Sequence, residues 1–266
     1  MSADRRARFR ELHAREGIFV MPNPWDIGSA RLLAYLGYEA LATTSAGFAW
    51  ALGKSDHGVT REELVAHVAA LAAAVDVPLA VDSEWCYPDD PGGVAATVRM
   101  LAEAGAAGCS IEDYDPVADA IVDQPRATER VATAVEAAHD GDALVLTARA
   151  ENHLHGVTDL DDTIGRLVAY RAAGADCLYA PGLTDPDQIR AVVDAVDAPV
   201  NVLALPSAPP VAELAALGVR RVSTGSLLAR SAYGALAAGA RELLADGTSR
   251  YAAEGLSVDD RAAFDT

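Results

Sequence analysis

Cysteine and long apolar segments are scarce in this sequence of 266 residues. Its three cysteines, Cys86, Cys109 and Cys177, lie far apart without CxxC spacing, which argues against a disulfide framework and a structural zinc site. No apolar run approaches the roughly 18 residues of a membrane span. The charged first 17 residues lack the apolar core of a signal peptide. We therefore expect a cytoplasmic protein with no membrane partner.

Lysine and net positive charge are also scarce. The single lysine, Lys54, lies in the charged loop GKSDHG, which excludes Schiff-base aldolases and pyridoxal enzymes because both need a buried lysine. The chain has 21 basic and 39 acidic residues and a net charge of −18. Nucleic acids and anionic membranes bind basic surfaces, so we expect neither as a partner.

The sequence does contain an apolar strand followed by a helix, repeated eight times. The strands are too apolar to have a solvated face, which predicts a parallel sheet covered by helices. Eight units favour one α/β domain over residues 1–266, a (β/α)8 TIM-type barrel with an N-terminal helix and a C-terminal helical tail. An open doubly wound sheet is the alternative, although no GxGxxG follows a strand. The predicted strands cover 17–22, 39–45, 78–84, 108–113, 143–151, 177–182, 199–205 and 221–225, and the helices 26–37, 60–75, 90–105, 126–139, 161–174, 185–196, 210–218 and 226–247.

Two neighbouring predicted strands end in acidic residues. Asp82 and Glu84 close the segment PLAVDSE, and alternation along a strand predicts that both point to one face. Glu112 and Asp113 close the next strand, GCSIED. Side chains at the carboxyl ends of barrel strands converge, and carboxylate oxygens suit Mg²⁺ or Mn²⁺. We therefore predict a divalent metal at Asp82, Glu84 and Glu112; the alternative is that such residues only cap helices or bond to loops.

Other polar residues are predicted at the same end of the barrel. Arg149, in the strand TARAE, is a candidate clamp for a substrate carboxylate or a developing oxyanion. The alternative is a salt bridge from Arg149 to Glu151 or Glu112. Further polar residues at this end are Thr43, Thr44, Ser45, Asp56, His57, Thr147 and Asn201, and weaker candidates are Cys86, Tyr87, Tyr114, His153, His155, Gly225 and Ser226.

Taken together, these motifs resemble the isocitrate lyase and phosphoenolpyruvate mutase superfamily, in particular methylisocitrate lyases. The likeness runs from Asn23 to Leu236 and rests on NPWDIGSARLLAYLGYEALATTSAGFA, PLAVDSE, GAAGCSIED, TARAE and PVNVLALP. It implies a Mg²⁺-dependent enzyme that makes or breaks a C–C or P–C bond of a small 2-oxo or 2-hydroxy carboxylic acid through a metal-stabilised enolate. It also implies a homo-oligomer, a dimer or a tetramer, in which the last helix is exchanged between subunits.

The resemblance assigns roles to individual residues. Asp82 and Glu84 match the acidic pair at the metal, which Glu112 reaches through water. Ser45, with the backbone of Ala46 and Gly47, matches the substrate carboxylate site. The predicted catalytic residues are Arg149, Asp56 and Glu112; the substrate-binding residues are Ser45, Ala46, Gly47, Arg149 and Asn201; and the metal ligands are Asp82, Glu84 and Glu112.

The sequence departs from the superfamily at the proton-donating side. The loop at 113–130 has no Lys, Cys or His where lyases carry a KCGH-type segment, and Ala180 stands where members often carry Glu or His. A carbon–carbon lyase other than isocitrate lyase is the main hypothesis. A phosphonomutase or phosphonopyruvate hydrolase, or a non-catalytic ligand-binding barrel, are the alternatives. The proton donor is open among Tyr87, Cys86, His153 and Glu151.

Overall fold

The computed structural model describes residues 2–141 and 144–265 and confirms the predicted barrel. Ten strands are present in this part of the chain, eight of them in one sheet. They are β1 (Phe19–Met21), β2 (Leu41–Ala42), β3 (Leu79–Val81), β4 (Gly108–Glu112), β5 (Tyr114–Asp115), β6 (Ala120–Ile121), β7 (Val145–Arg149), β8 (Cys177–Tyr179), β9 (Val200–Leu203) and β10 (Arg221–Ser223).

Apart from the first helix, which precedes β1, the helices follow the strands of the main sheet and cover its outer side. They are α1 (Ser2–Ala14), α2 (Ile27–Tyr35), α3 (Ser45–Ala51), α4 (Arg61–Ala74), α5 (Gly93–Glu103), α6 (Gln124–Ala138), α7 (Leu160–Ala172), α8 (Pro186–Val196), α9 (Val211–Ala216) and α10 (Leu227–Asp246). Two 3₁₀ turns, Arg250–Glu254 and Asp260–Phe264, form the tail. No helix in the described ranges combines the length and apolar character that a bilayer span requires.

The main sheet is parallel and nearly closed. Its strands pair in the order β1-β10-β9-β8-β7-β4-β3-β2. At the seam between β1 and β2, the backbone N–H of Ala42 donates to the carbonyl of Pro22 at 3.1 Å. The carboxyl ends of all eight strands therefore face one mouth, as the barrel prediction requires.

The amino end of the barrel is closed by α1. The ring of Phe9 is fully buried and lies edge-on to Phe19, with 6.4 Å between the ring centres. A Cβ atom added to Gly108 would lie 2.7 Å from Cε1 of Phe9, so the glycine makes room for this helix. Because α1 fills this end, the open end is the one to which the strands point.

The predicted strands are longer than the observed ones, and this corrects one inference about the site. Strand β3 ends at Val81, so Asp82 and Glu84 do not share a strand face. The chain turns there, and Glu84, Cys86 and Tyr87 have φ angles of 51°, 60° and 46°. Such left-handed angles are uncommon for residues other than glycine. The predicted start of the β7 strand, Ala143, lies outside the described residues.

Two elements were not predicted. Helix α3 begins directly after β2, where the sequence predicts only a loop, and β5 and β6 form an antiparallel hairpin after β4. The start of α4 is fixed by a capping box, in which the side chain of Thr60 accepts from the N–H of Glu63 and the side chain of Glu63 accepts from the N–H of Thr60. Acidic N-caps also begin α2, α6, α7 and α8, which accounts for part of the negative charge.

Candidate active site

A cavity of about 230 Å³ lies inside the mouth of the barrel. Its walls include Ser45 and Asp56 at the rim, and Arg149 and Tyr179 further in. Arg221 also lines the cavity and contacts His13 of α1, which places it at the floor. The cavity therefore occupies the end of the fold where (β/α)8 enzymes carry their active sites.

The guanidinium of Arg149 is shared among three carboxylates. Its Nη1 lies 2.8 Å from Oδ1 of Asp82 and 2.8 Å from Oε1 of Glu112, and its Nε donates to Oε1 of Glu151 at 2.6 Å. Burial acts to lower the pKa of Arg149, but the three carboxylates outweigh it and raise the pKa, so the side chain stays charged. The structure thus brings three predicted site residues together, and the ion pairs considered as the alternative for Arg149 are present.

Asp82 is fixed from two sides at the junction of β2 and α3. Its Oδ2 accepts from the backbone N–H of Ser45 at 3.0 Å. Its own N–H donates to Oγ1 of Thr43 at 2.9 Å. With Arg149 on Oδ1, both carboxylate oxygens are held, and Asp82 has a defined orientation at the cavity wall.

Glu84 is turned away from this network by its positive φ angle. It is 2% exposed, and neither of its carboxylate oxygens has a hydrogen-bond partner of good geometry among the described residues, although the hydroxyl of Tyr87 and the N–H of His57 are close enough to lower its pKa slightly. Nδ1 of His57 lies 3.6 Å from Oε1 of Glu84. Burial raises the pKa of Glu84 to about 8, and the charges of Asp82 and Asp56 add to this effect.

Within residues 2–141 and 144–265, no three His, Cys, Asp or Glu side chains are arranged as a ready metal-binding group. The reason is local, because Arg149 lies between Asp82 and Glu112 while Glu84 sits on the turn. The donor chemistry nevertheless fits Mg²⁺, which is commonly held by one or two carboxylates and several waters. The two unpartnered oxygens of Glu84, beside Asp82, are the specific observation that supports this fit.

The predicted carboxylate site lies at the start of α3. Ser45 and Ala46 line the cavity, but the N–H groups of Ser45 and Gly47 are already used by Asp82 and by Oγ1 of Thr44. A Cβ on Gly47 would lie 2.7 Å from Cγ2 of Thr44, so glycine is needed for packing there. Asp56 is exposed on its loop and also lines the cavity.

Asn201 lies deeper than predicted. It is the second residue of β9, and its amide accepts from Nε of Arg221 at 2.9 Å and donates to Oγ of Ser223 at 2.8 Å. Sequence reasoning missed both Arg221 and Tyr179 as cavity residues. For Arg221 the sequence offered one signal, an arginine at the start of an apolar strand. Tyr179 lies opposite Arg149 in the strand register, which only the structure shows.

Two proposed proton donors are engaged elsewhere. The thiol of Cys86 is fully buried, contacts Oγ of Ser83 and the carbonyl of Ser110 at 3.5 Å, and has a pKa raised to about 12, chiefly by burial. The hydroxyl of Tyr87 donates to the carbonyl of Val59 at 3.1 Å. Neither residue is among those that line the cavity in the described part of the chain.

The remaining weak candidates have packing or hydrogen-bond partners, although Nε2 of His153 is buried without a hydrogen-bond partner among the described residues. His155 stacks on Tyr114 with 3.7 Å between ring centres, and His153 packs against Gly182. Gly225 and Ser226 line the cavity, but the N–H of Gly225 donates to Oδ1 of Asn23 at 2.9 Å. The N–H of Gly225 is therefore not free to bind a phosphate.

Comparison with known proteins decides the family. Residues 9–244 match the family model described as phosphoenolpyruvate phosphomutase. The chain belongs to this family. Its resemblance to the phosphoenolpyruvate mutase and isocitrate lyase superfamily is thereby confirmed.

Three similar proteins illustrate the range of the family. A crystal structure from Burkholderia cenocepacia J2315, assigned as a lyase/mutase, is 50% identical with a TM-score of 0.94 and covers 100% of this chain and 97% of its own. Oxaloacetate decarboxylase of Paraburkholderia xenovorans (strain LB400) is 36% identical over 83% of this chain and 75% of its own length. 2-Methylisocitrate lyase of Escherichia coli (strain K12) is 29% identical over 72% of this chain and 67% of its own length.

In this member of the phosphoenolpyruvate phosphomutase family, the loop after β4 is the β5–β6 hairpin. Asp113 anchors it from below: its carboxylate accepts from the N–H of Glu151 at 2.8 Å, from Nη1 of Arg166 at 3.0 Å and from the hydroxyl of Tyr170 at 2.6 Å. Arg166 also donates to the carbonyl of Val122, where the hairpin ends, at 2.8 Å. Asp113 therefore holds the loop and β7 in place and is not a cavity residue.

Proposed function

We propose that this protein is a Mg²⁺-dependent carbon–carbon lyase that cleaves a small 2-oxo or 2-hydroxy carboxylic acid, with Mn²⁺ as an alternative metal. The observation that carries the proposal is the position of Arg149 among Asp82, Glu112 and Glu151 at the wall of a cavity of substrate size. A charged guanidinium held in this way is preorganised to stabilise negative charge that develops on a substrate oxygen.

Asp82, Glu84 and Glu112 are the residues proposed to hold the metal. Asp82 is fixed at the cavity wall, and Glu84 has two buried oxygens without partners among the described residues. When bound, Mg²⁺ supplies a Lewis acid that polarises the substrate's carbonyl or hydroxyl oxygen. The chain itself contributes the orientation of these carboxylates and the charge of Arg149.

The substrate carboxylate is proposed to lie at Ser45 and Ala46. Among the described residues, neither the hydroxyl of Ser45 nor the N–H of Ala46 donates to an acceptor, whereas the N–H of Gly47 is used by Thr44. Gly47 would therefore act by allowing close packing. Asp56, at the rim, is positioned to contact the distal part of a substrate.

Tyr179 is proposed as a hydrogen-bond donor to the reacting oxygen. It lines the cavity, and its ring centre lies 5.1 Å from Cζ of Arg149. Burial raises its pKa to about 12, which keeps the phenol protonated at neutral pH. Of the donors considered from sequence, Glu151 is paired with Arg149, and Cys86 and Tyr87 are engaged elsewhere. His153 is not among the described residues that line the cavity.

Oxaloacetate is the first substrate to test, because an oxaloacetate decarboxylase is 36% identical to this chain. Loss of CO₂ from a 2-oxo acid of this kind also breaks a C–C bond and leaves negative charge on the 2-oxygen. P–C chemistry is the second candidate, which the phosphomutase family model favours. Against it, Arg149 is already shared by three carboxylates, which leaves this guanidinium little positive charge for a phosphonate dianion.

The proposal is tested by titrating Mg²⁺ and Mn²⁺ calorimetrically, with and without oxalate, into wild type, Asp82→Asn and the control Asp194→Asn. Asp194 is an exposed residue of α8. We expect oxalate to bind only with metal, and Asp82→Asn alone to lose both. If neither metal nor oxalate binds wild type, the carboxylates are structural and the lyase proposal is wrong.

A substrate panel separates the remaining functions. Release of pyruvate or glyoxylate is measured from oxaloacetate and malate-type acids, and formation of pyruvate or phosphoenolpyruvate from phosphonopyruvate. Turnover of phosphonopyruvate alone would favour P–C chemistry. Metal and oxalate binding without turnover of any acid would favour a non-catalytic ligand-binding barrel.

We also propose a homo-oligomer, dimer or tetramer, in which α10 packs on a neighbouring subunit. Leu236 and Leu244 on this helix are 67% and 89% exposed, and only Ala229 and Gly239 are buried. A 20-residue helix with so much exposed leucine is typical of a contact surface. The three cysteines are free and buried, which suits the reducing cytoplasm.

A further inference from the structure

The floor of the barrel contains a buried arginine with neutral partners only. Arg221 is 3% exposed. Its Nε donates to Oδ1 of Asn201 at 2.9 Å, its Nη2 to Oγ1 of Thr147 at 3.0 Å, and its Nη1 lies 3.1 Å from Nε2 of His13. No carboxylate of the described residues forms an ion pair with it, in contrast to Arg149 and Arg166.

His13 acts as a neutral acceptor in this arrangement. Its Nδ1 lies 2.8 Å from the carbonyl of Phe9, which assigns the ring proton to that nitrogen and leaves Nε2 to accept from Arg221. Burial, and next the charge of Arg221, lower the pKa of His13 to about 3. His13 therefore supplies no negative charge to balance the guanidinium.

Arg221 has more N–H donors than it has acceptors around it among the described residues. A guanidinium has five N–H groups, of which three are used here, so each terminal nitrogen keeps one N–H without an acceptor among the described residues. Buried charges are normally paired, because removing an ion from water is costly. The arrangement therefore lacks a negative charge at Arg221.

The cavity reaches this position. Arg221, Thr147 and Ser223 all line the same space of about 230 Å³. A polar site needs only about 10–15 Å³ of accessible volume to hold one water molecule, so this space also accommodates a small ion below the level of Arg149. Above it lie Asp82, Glu112 and Glu151, which outnumber the one arginine that they share and would repel a dianion.

We propose that the floor of the cavity is an anion site, in which Arg221 binds one small monovalent anion, of the size of a halide or formate, beside the hydroxyls of Thr147 and Ser223. This site is separate from the predicted metal and carboxylate sites, and its existence does not depend on the lyase reaction. The anion compensates a buried charge that no carboxylate in the described ranges compensates.

The first test is diffraction from wild-type crystals grown without halide and soaked in sodium bromide. An anomalous peak at hydrogen-bonding distance from the terminal nitrogens of Arg221 is expected. Ordered water alone at this position, or bromide only on the protein surface, would overturn the proposal. This experiment needs no variant and so does not depend on whether a substitution at Arg221 folds.

The second test measures the thermal midpoint in sodium bromide, sodium formate and sodium gluconate at equal ionic strength. Gluconate is too bulky for the floor, so the wild-type midpoint is expected to rise with bromide or formate concentration above that in gluconate. Arg221→Met should lose this difference. Arg190→Met, which removes an exposed guanidinium bonded to the carbonyl of Ala216, should keep it. If the anomalous bromide peak is present but the wild-type thermal midpoint does not depend on bromide or formate, the bound bromide is an adventitious ion only.

Discussion

Nη1 of Arg149 lies 2.8 Å from Oδ1 of Asp82, although the two residues are 67 positions apart. The contact joins the end of β7 to the residue that follows β3, passes over the intervening strand β4, and lies at the cavity wall. It ties the residue proposed to stabilise substrate charge to a residue proposed to hold the metal. Changes at either position should therefore affect both functions.

For Arg149, we expect Arg149→Lys to lower kcat by about 10²–10³, the usual effect of removing an oxyanion donor. Lysine keeps the charge but cannot bridge three carboxylates, because it lacks the planar fork. Steady-state kinetics on the best substrate, with the thermal midpoint as a control for folding, would check this. Full activity in Arg149→Lys would show that only a positive charge is needed.

For Glu84, we expect Glu84→Gln to stabilise the metal-free protein and to weaken Mg²⁺ binding. The buried carboxyl has no hydrogen-bond partner in the described structure, and its burial is costly without a metal. The thermal midpoint in EDTA should rise by a few degrees, since about 1 kcal/mol corresponds to roughly 2–4 °C in a protein of this size. Glu213→Gln, at an exposed site on α9, is the matched control. A fall in the midpoint would mean that Glu84 is structural.

For Tyr179, we expect Tyr179→Phe to lower kcat about tenfold, the equivalent of one hydrogen bond of about 1.4 kcal/mol. The ring and its packing on Arg149 would remain, so KM and the thermal midpoint should change little. Tyr233→Phe, on the exposed side of α10, serves as the control. An unchanged kcat would show that the hydroxyl of Tyr179 does not donate to the reacting oxygen.

For the pH dependence of stability, His67 gives a defined expectation. Burial lowers its pKa to about 4, and its ring stacks on Phe48 with 3.7 Å between ring centres. A folded-state pKa below the unfolded value contributes stability that is complete above about pH 6.5 and is lost as the pH falls towards 4. Between pH 7 and 5 the loss is about 2 kcal/mol.

The measurement is chemical denaturation of wild type and His67→Phe at pH 7 and pH 5. The variant should lose about 2 kcal/mol less than wild type over this interval. Comparing the two proteins cancels the contribution of the other titrating groups. An identical loss in both would show that His67 is protonated in the folded state.

For the assembly, we expect the double variant Leu236→Glu and Leu244→Glu to dissociate without unfolding. Both side chains are exposed on α10. A charged side chain there costs little free energy in a monomer, but burying it in an apolar contact between subunits costs much more. Light scattering coupled to size-exclusion chromatography would report the mass. A wild-type monomer would contradict the proposed exchange of this helix.

The residues of the candidate site were predictable to different degrees. Arg149 and Glu112 end buried strands, where side-chain direction follows from strand alternation, and the structure brings them together. Glu84 was placed wrongly on the face of Asp82, because strand β3 stops at Val81 and the chain takes a left-handed turn. Local sequence gives little warning of such a turn, since nothing there is glycine.

The alternation of apolar strands and helices determined the barrel by itself, because parallel strands buried on both faces and linked by helices have few other arrangements. It also determined that acidic residues gather at one end, since all the strands point the same way. Only the tertiary structure decided which charges meet. Arg221 contacts His13, which is 208 positions away in the sequence, and also bonds to Thr147. These contacts depend on α1 closing the barrel floor, which no local pattern encodes.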